Sequence, residues 1–170
     1  LIHVTSAWAA INVAGPAARE LLAPLVNGVD LSATAFGFSE CREGLVGGVA
    51  ARLMRVGFVG ELGWEVHVPA HHGDALWRLL MARGAELGVT PVGIEAQRLL
   101  RLEKGHIIVG QDSDGLSYPE EVDMNWAVAG DKPFFVGQRA IEAMARRGLT
   151  RRLVGFRLPP GTPVPEECSL

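Results

Sequence analysis

Residues 52–69, Arg-Leu-Met-Arg-Val-Gly-Phe-Val-Gly-Glu-Leu-Gly-Trp-Glu-Val-His-Val-Pro, most constrain what this chain can fold into. Apolar and polar residues alternate through residues 62–68, and a period of two is typical of a β-strand. The alternation places Glu65 and His67 on the face opposite Trp64. Three glycines supply the backbone freedom that a chain reversal needs. The stretch therefore predicts two strands joined by a glycine-rich turn, with Glu65 as a candidate ligand carboxylate.

The composition excludes several classes of protein. The chain has 170 residues, of which 48% are hydrophobic, enough for a packed core. Its net charge of -3 provides no field of one sign to attract nucleic acid or anionic lipid. Its apolar runs are all shorter than the ~20 residues of a membrane span. We therefore expect a soluble, cytoplasmic protein without nucleic-acid or membrane partners.

The two cysteines and the ends of the chain suggest its context. Cys41 and Cys168 are far apart and form no C-x-x-C pair, so they indicate neither a disulfide framework nor a zinc site. Residue 1 is Leu, and the chain begins and ends in strand-like sequence. We expect a segment of a longer polypeptide, with one domain over residues 1–148 and the start of another over residues 149–170.

Beyond residue 69 the apolar period changes from two to 3.6. Leu76, Leu80 and Leu87 belong to a stripe that predicts a helix over residues 73–87, ended by Gly88. The alternation of helices with hairpins predicts an α+β fold with mixed or antiparallel sheets. The remaining predicted elements are helices over residues 17–25, 93–104 and 137–147, strands over residues 9–14, 89–92, 107–109 and 151–158, and a core segment around Trp126.

Several polar groups allow both a structural and a functional interpretation. Gln97 and Arg101 are four residues apart on one helix, where a solvated charged face is the commoner explanation. Glu65, by composition alone, is more often a surface carboxylate than a ligand. Asp112 and Asp114 lie in a loop, and loop capping explains them without catalysis.

The histidines predict no metal site. His67, His71 and His72 are close in sequence, but no Cys or carboxylate recurs at ligand spacing. His106 follows a helix-ending glycine, where its charge would suit the helix dipole. The chain also lacks a dinucleotide fingerprint, a phosphate loop and a nucleophile elbow.

Three stretches resemble, in order and spacing, the folate-binding family of glycine-cleavage T proteins (aminomethyltransferases). They are Gly-Phe-Val-Gly-Glu-Leu-Gly-Trp-Glu at 57–65, Leu-Arg-Leu-Glu-Lys-Gly at 100–105, and Met-Asn-Trp-Ala-Val at 124–128 followed by Phe-Val-Gly at 135–137. The finer resemblance is to the C-terminal half of the α subunit of heterotetrameric sarcosine oxidase. It includes Ile-Ile-Val-Gly-Gln-Asp at 107–112.

The resemblance implies a fold and a cofactor. The fold is a partial aminomethyltransferase folate-binding domain, with residues 149–170 beginning a truncated C-terminal β-barrel. The cofactor is tetrahydrofolate, and Glu65 matches the family carboxylate that receives the pterin ring. Phe58 and Trp126 match aromatic residues near the folate, although core packing explains them equally well. With Arg101, they complete the expected cofactor-binding set.

Two departures from the family pattern limit the chemistry. Gln97 and Arg98 stand where the T protein has an Arg-Asp pair, which argues against ordinary glycine cleavage. The catalytic Asp of the family would precede this segment, so no catalytic residue is assigned and the segment alone is expected to be inactive. In an oxidase parent, FAD and NAD would be bound only by parts outside this segment.

The resulting expectation is a module that forms 5,10-methylenetetrahydrofolate from an imine made by sarcosine-type amine oxidation. Its partners would be folate, a small amine-derived imine and other oxidase subunits. A stand-alone aminomethyltransferase of the glycine-cleavage type and a non-catalytic folate-binding or structural module are the alternatives.

Overall fold

The computed structural model describes residues 1–162. Cys168 and the end of the predicted second domain lie outside the described residues. The chain divides into two compact units, Leu1–His106 and Ile107–Leu170. The predicted boundary after residue 148 stays a prediction.

The first unit is built on one antiparallel sheet. Its strands follow the order β1-β5-β4-β3-β2, with every neighbouring pair antiparallel. This confirms the predicted α+β class. The elements are β1 (Trp8–Ala14), α1 (Ala18–Leu22), β2 (Val26–Asn27), β3 (Cys41–Val46), β4 (Val49–Met54), β5 (Gly63–Pro69), α2 (Gly73–Gly84) and α3 (Ile94–Lys104).

The predicted central hairpin is formed by β4 and β5. Met54 pairs with Glu65, and Arg52 with His67. The strands are joined by residues 55–62, a longer connection than a tight turn. The tight turn lies between β3 and β4, where Gly47 and Gly48 have φ values of 56° and 83°. Two successive positive φ values are typical of the two-residue turns that match strand twist.

The core lies on one face of this sheet, under α1 and α2. Trp64, Val66 and Val68 of β5 are fully buried, and the ring of Phe36 meets Trp64 edge-on at 6.4 Å. The predicted stripe of α2 is confirmed, because Leu76 and Leu80 are buried in this cluster. Removing these side chains from water is the main stabilisation of the unit. The core also contains Ala18, Leu21, Leu22, Leu31, Val46, Ala51 and Leu53.

The second unit consists mainly of loops and short helical turns. It contains 3-10 turns at Pro119–Val122 and Asn125–Ala127, and the helix α4 (Gln138–Arg147), which ends at Gly148. Buried Glu121 accepts a hydrogen bond from the N–H of Tyr118 at 3.0 Å and forms an ion pair with Arg151 at 3.2 Å. These contacts hold the turn before Trp126.

The two loop carboxylates cap their own loop, as the capping interpretation predicts. The N–H of Ile108 donates to Asp112 at 2.7 Å. Asp114 accepts from the Ser117 hydroxyl at 2.7 Å and from the Leu116 N–H at 3.0 Å. The Ser117 bond, then the Leu116 bond, hold the pKa of Asp114 below its usual value.

Several short apolar runs do not form the predicted strands. Residues 89–92 and 151–158 carry no strand, and residues 107–109 contribute only an isolated bridge from Val109 to Ser113. Near 151–158, one strand-like bond runs from the Leu153 N–H to the Glu121 carbonyl at 2.7 Å. A strand needs a neighbouring strand for its backbone groups, and these runs have none in the described part of the chain. The β-barrel stays a prediction.

The sequence predicts that Trp126 lies in a core segment, but in the structure it does not return the chain to the core. It lies on a 3-10 turn and is 61% exposed. An aromatic residue is buried only where its element packs against others, and a three-residue turn offers little such surface. Among the helices in residues 1–162, none is long and apolar enough to span a membrane.

Candidate functional site

Glu65 and His67 lie next to each other on the face of β5 that points away from the core. The alternation predicted from the sequence is confirmed, because Trp64, Val66 and Val68 occupy the buried face. The Nε2 atom of His67 is 3.2 Å from Oε2 of Glu65, and their side chains are 24% and 39% exposed. A carboxylate offers only lone pairs, so the imidazole N–H is the donor. The carboxylate is therefore fixed at one oxygen and still open to solvent.

The neighbouring cation on this face is held by other groups. Arg52, opposite His67 in the register, donates twice to Oε1 of Glu43, at 2.8 and 3.3 Å. Its guanidinium also lies 5.3 Å from the centre of the Trp8 ring. Opposite Glu65 are the uncharged Asn12 and Met54. Within residues 1–162, the side chain recorded within hydrogen-bonding distance of the Glu65 carboxylate is His67.

Phe58 is fixed to the end of α3 by His106. The Nδ1 atom of His106 lies 2.8 Å from the Phe58 carbonyl oxygen, which can only accept. The two rings stack with their centres 6.0 Å apart and their planes at 26°. The contact joins residues 48 positions apart in sequence. His106 therefore connects the end of α3 to the 55–62 connection, which the helix dipole does not predict.

Arg101 is buried at the C-terminal end of α3, although the sequence favours a solvated charged face. It is 3% exposed, and its Nη1 donates to the His106 carbonyl at 3.1 Å. The same end has Gly105 at φ 85°, with the His106 N–H bonded to the Arg101 carbonyl. This is a Schellman-type helix ending, and it turns the chain so that the His106 carbonyl meets the guanidinium. The solvated-face interpretation is wrong for Arg101.

The four predicted binding residues are distributed over both units. Glu65, Phe58 and Arg101 belong to the first unit, where His106 contacts both Phe58 and Arg101. Trp126 belongs to the second unit. The structure does not test their roles, which stay predictions.

The first unit also contains an apolar cavity of about 550 Å³. It lies among β1, α1, α2 and the segment that leads into α3. Gln97 and Glu61 contribute polar groups to it, whereas Glu65, Phe58 and Arg101 do not line it.

The sequence predicts that His67 lies beside Glu65, but it does not predict that His106 contacts Phe58. His67 shares a face with Glu65, and the period of two indicates this. The contact between His106 and Phe58 depends on how the 55–62 connection folds back onto α3, and no local pattern predicts such a contact.

Residues 1–162 contain no group of three or more His, Cys, Asp or Glu side chains arranged to hold a metal ion.

The fold and these side chains define a class: an antiparallel α+β domain that presents an acceptor carboxylate on the open face of its sheet. Residues 1–132 match the family described as the GCVT N-terminal domain. The chain belongs to this family, as the resemblance in its sequence indicates.

Curated relatives carry two kinds of name. The sarcosine oxidase subunit alpha of Corynebacterium sp. (strain P-1) is 43% identical over 81% of this chain, which spans 14% of that protein. The aminomethyltransferase of Halothermothrix orenii is 34% identical over 93% of this chain, which spans 43% of that protein. The chain thus covers less than half of either relative.

A solved structure overlaps the fold in part. The heterotetrameric sarcosine oxidase from Corynebacterium sp. U-96, in complex with pyrrole 2-carboxylate, matches 54% of this chain and 45% of its own. The TM-score is 0.47 and the identity is 20%. The family assignment rests on the sequence matches.

Proposed function

We propose that the chain is a folate-dependent one-carbon transfer module, which forms 5,10-methylenetetrahydrofolate from an imine produced by sarcosine-type amine oxidation. Membership of the GCVT N-terminal domain family supports the use of tetrahydrofolate. The relatives named sarcosine oxidase subunit alpha support an oxidised amine as the carbon source and other oxidase subunits as partners. Flavin and nicotinamide chemistry is assigned to no residue of this chain.

The observation that carries the proposal is the Glu65 carboxylate, exposed on the sheet face with His67 at one oxygen. The 2-amino group and the adjacent ring N–H of a pterin form a flat edge with two parallel donors. A carboxylate accepts both bonds at once, as it does from a guanidinium. The lone pairs of the Glu65 carboxylate that His67 does not occupy can accept the two hydrogen bonds from this edge.

The proposed transfer is balanced without an oxidant. Tetrahydrofolate would supply N5 and N10 as acceptors of the imine carbon. The carbon–nitrogen bond of the imine would break, and the amine would leave with the two protons displaced from N5 and N10. Glu65 would orient the pterin, and Phe58 and Trp126 would contact its flat surface. Arg101 completes the proposed cofactor-binding set. No residue of this chain is assigned to proton transfer.

Tetrahydrofolate titration of the full chain, followed by calorimetry, tests the proposal. Glu65→Ala should weaken the affinity by about 10- to 100-fold, because bonds to a charged acceptor are worth about 1.5–3 kcal/mol. Glu86→Ala, which removes an exposed carboxylate beyond α2, is the charge-matched control and should bind like the unmodified chain. Equal affinity of the Glu65→Ala variant and the unmodified chain would contradict the role of Glu65.

A stand-alone aminomethyltransferase of the glycine-cleavage type is the second candidate, and the Halothermothrix orenii relative favours it. The source of the transferred one-carbon unit distinguishes the two candidate functions. Product formed with a sarcosine-oxidising flavoprotein supports the first candidate, and product formed only with the aminomethyl group of glycine cleavage supports the second.

A further inference from the structure

The contact between His67 and Glu65 is not part of the core packing that holds β5 in the sheet. Both side chains lie on the open face, and the core packing of β5 depends on Trp64, Val66 and Val68 instead. A glutamate on an exposed face normally samples several rotamers. Here the Nε2 atom of His67, at 3.2 Å, restrains Oε2.

The charges around the pair keep this contact specific. Arg52 lies across from His67, but it is bound to Glu43 and packed over Trp8. The residue paired with His67 on the other side is Ala10, and Glu65 is flanked by Asn12 and Met54. The imidazole is the side chain recorded within hydrogen-bonding distance of Glu65 among those of β1, β4 and β5. The other charged groups on these strands, Arg52 and its partner Glu43 on β3, neutralise each other.

We propose that His67 is a positioning residue, which holds the Glu65 carboxylate in the orientation that accepts a two-donor ring edge. One N–H uses one of the lone pairs on Oε2, so both oxygens keep acceptor capacity for a ligand. A carboxylate restrained before binding loses less side-chain freedom when the ligand binds. This inference rests on the proposed function, because it requires that Glu65 binds the ligand.

Tetrahydrofolate affinities of four proteins test this role in the full chain: the unmodified chain, His67→Ala, His67→Gln and Glu65→Ala/His67→Ala. His67→Ala should weaken binding by about 3- to 10-fold, less than Glu65→Ala, because it removes the restraint on the carboxylate and not the carboxylate itself. His67→Gln keeps an N–H donor and should restore affinity to within about twofold of the unmodified chain. The double variant should bind no more weakly than Glu65→Ala, because His67 acts through Glu65.

A matched control and the remaining outcomes separate the two proposals. His71→Ala removes an exposed imidazole whose ring lies tilted against that of His72, and it should leave the affinity unchanged. If Glu65→Ala weakens binding but His67→Ala does not, or if the two losses add, His67 has no positioning role. If the unmodified chain does not bind tetrahydrofolate, or binds it independently of Glu65, the proposed function itself is overturned. Thermal unfolding of each variant checks that a lost affinity is not a lost fold.

Discussion

Asp114 shows how a short loop stabilises the charge of one carboxylate. Ser117 and Leu116 donate hydrogen bonds to its Oδ1, and Arg151 lies 3.6 Å away. These donors lower its pKa in the folded chain. Since the folded-state pKa is below the unfolded one, the contribution of Asp114 to stability is present above the unfolded pKa. It is lost as the pH falls through the folded-state pKa.

The Ser117→Ala variant should therefore raise the pKa of Asp114 toward its usual value, because the bond that lowers it most is removed. Carboxyl carbon NMR over an acid titration measures this directly. Ser113→Ala is the control, since the Ser113 hydroxyl bonds to the Gly110 N–H instead. An unchanged pKa in Ser117→Ala, or the same change in the control, would contradict the assigned cause.

Also at the scale of residues, the sequence predicts the face of a strand on which a side chain lies better than the residues that the side chain contacts. Alternation along β5 is enough to place Glu65 and His67 away from the core, because side chains of a strand point to opposite sides in turn. The burial of Arg101 is not visible in the same way. It depends on the His106 carbonyl, which the Schellman-type ending of α3 brings to the guanidinium.

At the scale of elements, the end of α3 depends on the conformation of one glycine. Gly105 has φ 85°, and no atom lies within 4 Å of where a Cβ would be. Gly105→Ala should thus cost about 1–2 kcal/mol through backbone strain alone, without a steric clash. Gly93→Ala, at the start of the same helix with extended backbone and equally open space, is the control. Urea unfolding followed by circular dichroism measures both, and equal losses would refute the effect of φ.

Long periodic elements are predictable here, and short apolar runs are not. The stripe of α2 and the glycine after it define that helix, since both signals lie within the segment itself. Residues 89–92 are equally apolar, but whether they become a strand depends on a hydrogen-bonding neighbour elsewhere in the chain. The 55–62 connection shows the same limit: its glycines indicate a reversal between β4 and β5, but not that His106 anchors it at Phe58.

At the scale of the whole molecule, several large apolar side chains of the described residues are exposed to solvent. On α3, Ile94, Leu99 and Leu102 are mostly exposed, and on the second unit so are Phe134 and Val136. Large apolar side chains that are exposed on α3 favour association in water. We therefore expect the purified chain of 18.2 kDa to associate as its concentration rises.

Sedimentation velocity over a concentration series measures this association. The double variant Leu99→Lys/Leu102→Lys should shift the chain toward the monomer, because it replaces apolar surface with charge, and lysine is a good helix former. Ala75→Lys/Ala82→Lys adds the same charge at exposed positions of α2 and should change the association less. If both variants reduce association equally, net charge rather than the surface of α3 controls it. If the unmodified chain stays monomeric throughout the series, the exposed side chains of α3 do not drive association.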